Sequence, residues 1–181
     1  MCDKNKKALE SKEELYFSWW LNDLKKIGIV KSYTHNVTPF TITEGYFIEK
    51  IKPMKRVPDK ILKKTIIPKK IYTPDFEIIW DYEKFKKTKL SNIFHIYKTK
   101  STNEYYSIAE TKGSWDRNNM TRLFKNNQAF IYEKYKIVVG LYKIPTLFEK
   151  TFTPQKYIFT DISGKFRKIN FKIITLKEYL K

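Results

Sequence analysis

The sequence predicts an α/β fold built in the order helix, strands, helix, strand. Three observations lead to it. Apolar residues recur at helical spacing between residues 10 and 30, and again between 116 and 135. Two stretches between those helices, Phe76 to Trp80 and Tyr105 to Gly113, alternate with the period of two that marks a strand. After the second helix, the run KIVVGLYKI is short, apolar and rich in β-branched residues, the composition of a buried strand.

The first helix carries Leu15, Trp19, Trp20, Leu24 and Ile27 on its apolar side. Ser11 and Glu14 stand three apart as a capping box, and Gly28 supplies the stop. Residues 31–51 have the β-branched and aromatic content of one or two strands. The prolines and lysines of 53–70 read as an irregular, basic, exposed segment. Phe76, Ile78 and Trp80 then alternate with Asp75, Glu77 and Ile79 in a half-buried strand entered through Pro74. Residues 81–104 are charged and polar, an insertion that reads as a hairpin extension or a long loop. Tyr106 and Ile108 alternate with Ala109, Thr111 and Gly113 in a central strand. In the second helix Asp116 is placed to cap, and Met120, Phe124, Ala129 and Ile131 lie near one face. The C-terminal extension, 145–181, has strand-like runs at YIFTD and KINFKII. With no internal repeat and no flexible spacer, residues 1–181 read as a single domain whose core spans about 11–142.

A chain of 181 residues is long enough to bury a real core. Its 37 Lys and Arg face 19 Asp and Glu, a net charge of +18 spread along the chain, so the natural partner is a polyanion. The 33 lysines also follow from A/T-rich coding, so charge points to binding and says nothing of chemistry. Cys2 is the lone cysteine, which excludes an internal disulfide and a cysteine-based zinc site and fits a reducing cytoplasm. No run is apolar and long enough to span a bilayer, and the first fifteen residues lack the apolar core of a signal peptide; no membrane partner is expected.

Two fragments point to chemistry: Pro74-Asp75 and Glu110-Thr111-Lys112. Residues two apart on a strand share a face, so Glu110 and Lys112 project together, while Thr111 points away and offers only its backbone carbonyl. With the Asp75 strand alongside, two carboxylates meet. Held about 4 Å apart, they repel by about 4 kcal/mol at an effective dielectric of about 20, so the pair calls for a cation. Hard oxygen ligands suit Mg2+ or Mn2+, and such an ion beside a lysine ammonium is the equipment of phosphodiester hydrolysis. Two Glu-x-Lys triplets are present, about what composition alone predicts, but the other, Glu10-Ser11-Lys12, opens a helix, where i and i+2 diverge. Pro58-Asp59 likewise repeats the first fragment, yet leads into KILKK with no apolar alternation. What singles out the chosen pair is its order on adjacent strands, after one helix and before another.

Ser11, Glu14 and Phe17 in S-x-x-E-x-x-F spacing, Tyr72, Pro74, Asp75 and Phe76 in Y-x-P-D-F, and Glu110, Lys112 and Gly113 in E-x-K-G resemble the PD-(D/E)XK nuclease superfamily. Within it the phrasing is closest to small phage and transposon-type endonucleases and Holliday-junction resolvases. The resemblance covers about residues 11–142. It implies a restriction-endonuclease-like core of helix, three strands, helix and strand, with a mixed central sheet flanked by helices. It further implies a DNA endonuclease dependent on Mg2+ or Mn2+. Asp75 and Glu110 would ligate the metal, the Thr111 carbonyl would complete the inner sphere, and Lys112 would orient the water or stabilise the phosphate. Glu14 would reach the metal directly or through water, with Glu13 the alternate; a glutamate at a helix start also serves the cap and the dipole. Arg117, Arg122 and Lys125 are candidate DNA contacts near the start of the second helix.

Several residues keep two readings. Trp115 is a stacking or a packing residue, Gln128 a cleft group or a solvated amide, and the insertion lysines a DNA grip or a solvated loop. His35 and His95 stand alone as ordinary histidines. Cutting both strands of DNA favours a symmetric homodimer, in the cytoplasm of a prokaryotic or phage-infected cell. The rival reading is a basic nucleic-acid-binding protein without catalysis, and a third is a basic virion or scaffold protein.

Overall fold

The computed structural model describes residues 11–55, 58, 60–113, 120–159 and 166–181. The chain opens with α1 (Lys12–Lys26), β1 (Val30–His35), β2 (Phe40–Thr43), β3 (Tyr46–Lys52), β4 (Lys60–Ile67), β5 (Lys70–Tyr72) and β6 (Phe76–Trp80). It continues through α2 (Tyr82–Phe85), a 3-10 turn (Lys89–Asn92), β7 (Tyr97–Lys98) and β8 (Tyr105–Lys112). Then follow α3 (Met120–Tyr135), β9 (Val139–Lys143), α4 (Ile144–Lys150), α5 (Gln155–Ile158) and α6 (Leu176–Tyr179). No described helix is long and apolar enough to cross a membrane.

The architecture is mixed α/β. In the central sheet β1, β6 and β8 pair antiparallel, and β7 and β9 take successive stretches of the other side of β8. β9 runs parallel to β8, as it must when a helix, α3, carries the chain back between them. One sheet face packs Phe76, Ile78, Trp80 and Ala109 against Phe17, Trp20, Leu21 and Leu24 of α1 and Phe148 of α4. The opposite face packs Ile108 and Val139 against Phe124 and Ile131 of α3. β8 is thus covered on both sides, and Ser107 to Thr111 are all buried. A polar group on that strand is tolerated only with partners, and Ser107 has them: it accepts from Trp80 Nε1 at 2.8 Å and donates to the His95 carbonyl at 2.7 Å.

Local physics accounts for the helix ends. Ser11 caps α1 by accepting from the Glu14 amide, and Gly28 ends it at φ +74, a conformation that costs a side chain dearly. The buried stripe of α1 is Phe17, Trp20, Leu21 and Leu24, with Leu15, Trp19 and Ile27 only partly covered. Apolar residues occupy so much of this helix that periodicity alone allows either stripe; the sheet selects one.

Four other expectations are corrected. The 81–104 insertion is a hairpin only at its end, where Tyr97–Lys98 pair antiparallel with Tyr105–Tyr106; before that it is no solvated loop, since two short helical turns send Phe85, Leu90 and Phe94 into the core. Within 53–70, Lys60–Ile67 is a regular strand, basic and exposed though it is. YIFTD begins in helix α5, and KINFKII, residues 168–174, forms no strand. Ala129 is exposed, because Phe124, Asn127 and Ile131 form the inward side of α3. Trp115, Asp116 and Arg117 lie outside the described residues.

Candidate active site

The register of the central sheet builds the site. Phe76 pairs with Ala109, so one further step sets Asp75 opposite Glu110 at the ends of β6 and β8. Asn36, just past β1, donates its amide to the Asp75 carbonyl at 2.9 Å and fixes the backbone there. Asn36 itself takes φ +56, and its Nδ2 is buried without a partner among the described residues. Lys112 Nζ lies 2.6 Å from Glu110 Oε1, which puts the two side chains on one face as strand parity requires.

Each carboxylate has its own support. Tyr72 of β5 donates its hydroxyl to Glu110 Oε2 at 2.8 Å. Thr111 donates twice to Asp75 Oδ2, from its amide at 2.7 Å and its hydroxyl at 2.8 Å. Strand parity predicts that Thr111 offers only its carbonyl; instead its amide and hydroxyl clamp Asp75. Glu14, buried at the start of α1, accepts from the Ser11 hydroxyl at 2.9 Å and lies 2.7 Å from His35 Nε2.

Electrostatics ties these groups together. Burial first, then the charge of Glu110, pushes Asp75 up to about 6, against the Thr111 hydrogen bonds and the Lys112 charge. Burial pulls the Lys112 ammonium down, but its bond to Glu110 and the charges of Glu110, Asp75 and Glu14 outweigh that and leave it raised. Burial, then the charge of Glu110, holds the Tyr72 hydroxyl protonated well above the ordinary phenol range. Three carboxylates and one ammonium therefore share one end of the sheet.

A divalent ion can be tested against that arrangement. Among the described residues no group of three or more His, Cys, Asp and Glu side chains is disposed to hold a metal. Mg2+, however, keeps most of its waters and takes one or two carboxylates together with substrate phosphate. Asp75 and Glu110 meet that smaller requirement. Asp75 remains raised despite three opposing contacts, by burial first and by the charge of Glu110 second, and a cation beside it would oppose that shift.

The other candidates separate. Glu13 lies beside the end of β8: its Oε1 is 2.9 Å from where a Cβ on Gly113 would stand, so that glycine leaves room for it. Arg122 and Lys125 are exposed on α3, with no bond to the acidic cluster. Gln128 is a strap, accepting from the Val139 amide at 2.6 Å and donating to the Ile137 carbonyl at 3.4 Å. Sequence reading passed over the roles of Tyr72 and His35. The first had a signal, its place three residues before Asp75; the second had none, since only the fold brings it to Glu14. No protein-family model matches the chain, and no curated protein or solved structure gives a match to it.

Proposed function

We propose that the chain is a DNA endonuclease dependent on Mg2+ or Mn2+, with a restriction-endonuclease-like core of the PD-(D/E)XK kind. The observation that supports it most directly is the joining of Asp75, Glu110 and Lys112 across two central strands, the Lys112 ammonium 2.6 Å from Glu110. Asp75 and Glu110 would hold the ion, and the chemistry it would supply when bound is polarisation of a phosphate oxygen and a water nucleophile near neutral pH. Lys112, its ammonium held against Glu110, would orient the water or stabilise charge on the phosphate. Thr111 and Tyr72 keep the two carboxylates aimed, and Glu14 adds negative charge from α1. Branched DNA is the favoured substrate and a cytoplasmic homodimer the favoured assembly.

One observation favours a second reading. Both Glu110 oxygens already have donors, Lys112 and Tyr72, so the cluster is partly compensated without any ion. A basic DNA-binding protein without hydrolysis would tolerate that arrangement. Incubation with branched and linear DNA, in Mg2+ or EDTA, separates the two. The wild type cuts in Mg2+ alone, and Asp75→Ala and Lys112→Ala abolish cutting; wild-type protein that binds and never cuts establishes the second reading.

A further inference from the structure

Strands β3 and β4 form a two-stranded antiparallel ribbon of their own, with no place in the central sheet. Nearly every residue on it is exposed, on both faces. Such a ribbon is marginal in water by itself, which makes a partner surface the natural source of its order. Its register sorts the side chains. Residues paired across the ribbon share a face, so Phe47 and Thr65, Glu49 and Lys63, and Ile51 and Ile61 line one side. There the charge is already spent, since Lys63 lies 3.6 Å from Glu49 and over the Phe47 ring.

The other side holds Ile48 with Lys64, Lys50 with Leu62, and Lys52 with Lys60. Four lysines stand there, two on each strand. They are exposed, and none pairs with a carboxylate among the described residues. This face carries only positive charge, split evenly between two strands about 4.8 Å apart, and the flexible four-carbon lysine stems carry the ammonium groups outward on either side, toward a partner with two more widely spaced lines of negative charge. The two phosphate ridges flanking the major groove of B-form DNA provide them. That groove, about 12 Å wide, admits a two-stranded ribbon, whereas the deep, narrow major groove of an A-form RNA duplex does not.

We infer that the β3–β4 ribbon is a DNA-docking arm that lies in the major groove, with Lys50 and Lys52 facing one phosphate ridge and Lys60 and Lys64 the other. This rests on the proposed function for DNA as the partner, and not on hydrolysis. Because these contacts are to phosphate, the arm supplies affinity and register more than base preference.

The test measures binding to a linear DNA duplex in EDTA, where cutting plays no part, across a range of salt. The variant K50Q/K52Q/K60Q/K64Q is compared with K156Q/K168Q/K172Q/K177Q, which removes the same charge from exposed C-terminal lysines. Losing four phosphate contacts should flatten the log–log salt slope by about 3 to 4 and weaken binding at least about tenfold at 0.1 M salt. The C-terminal variant should move the slope by less than about one, and the arm variant should leave binding to an RNA duplex unchanged. Equal effects of the two variants, or no effect of the first, overturn the inference. So does loss of DNA binding with loss of self-association in F47S/I51S/I61S, which would make the apolar face a seat for a second copy. A chain that binds through the arm and never cuts defeats the nuclease reading alone; one that cuts and is indifferent to the arm lysines defeats the arm alone.

Discussion

Lys112 and Glu110, two residues apart on β8, form an ion pair of 2.6 Å at the point where the charges of Asp75 and Glu14 also arrive. Asp75 and Glu110 share that ammonium, and burial together with the charge between the two carboxylates governs the way stability responds to pH.

Asp75 is the group that responds most. Its pKa is raised from 3.8 to about 6, so the folded state holds its proton more tightly than the unfolded chain does. Stability from this group is complete below pH 4 and is lost as pH rises through about 6. Asp75→Asn removes the buried charge and keeps an acceptor for Thr111. It should raise stability at pH 7.5 by roughly 2–3 kcal/mol, a gain that vanishes toward pH 4, while abolishing cleavage. Denaturant melts at several pH values check this; equal gains at pH 4 and 7.5 would contradict it.

Lys112→Met should act in the opposite direction. Glu110 is 7% exposed and loses its cation, and Asp75 loses one of the influences that lower it. A cost of roughly 1–3 kcal/mol is expected at pH 8, shrinking as acid protonates the carboxylates. The same melts read it, and a cost that grows in acid would refute the account.

Gln128→Ala tests a structural role. The Val139 amide loses its acceptor at the start of β9, so stability should fall by about 1–2 kcal/mol. DNA affinity should not change. A variant with wild-type stability and impaired cutting would return Gln128 to the cleft.

The phase of α1 is testable by truncation. Leu21 is fully buried and Leu15 is not. Leu21→Ala should cost about 2–5 kcal/mol and Leu15→Ala about 1 kcal/mol or less. Equal losses would mean that the helix packs through a different face.

Local patterns in the chain were enough to locate α1, β6, β8, α3 and β9, because each depends on spacing and caps a few residues apart. β6 shows this best, with Phe76, Ile78 and Trp80 all buried as their alternation requires. The same parity puts Glu110 and Lys112 on one side of a strand. Tertiary packing decided the rest. Which stripe of α1 turns inward, and whether Phe85, Leu90 and Phe94 enter the core, depend on surfaces contributed from far along the chain. The meeting of Glu14 with His35, and of Tyr72 with Glu110, likewise spans separations of 21 and 38 residues. Hydrogen bonds of that kind leave no periodic trace, since they arise only when the sheet's register brings distant backbone segments to the same end.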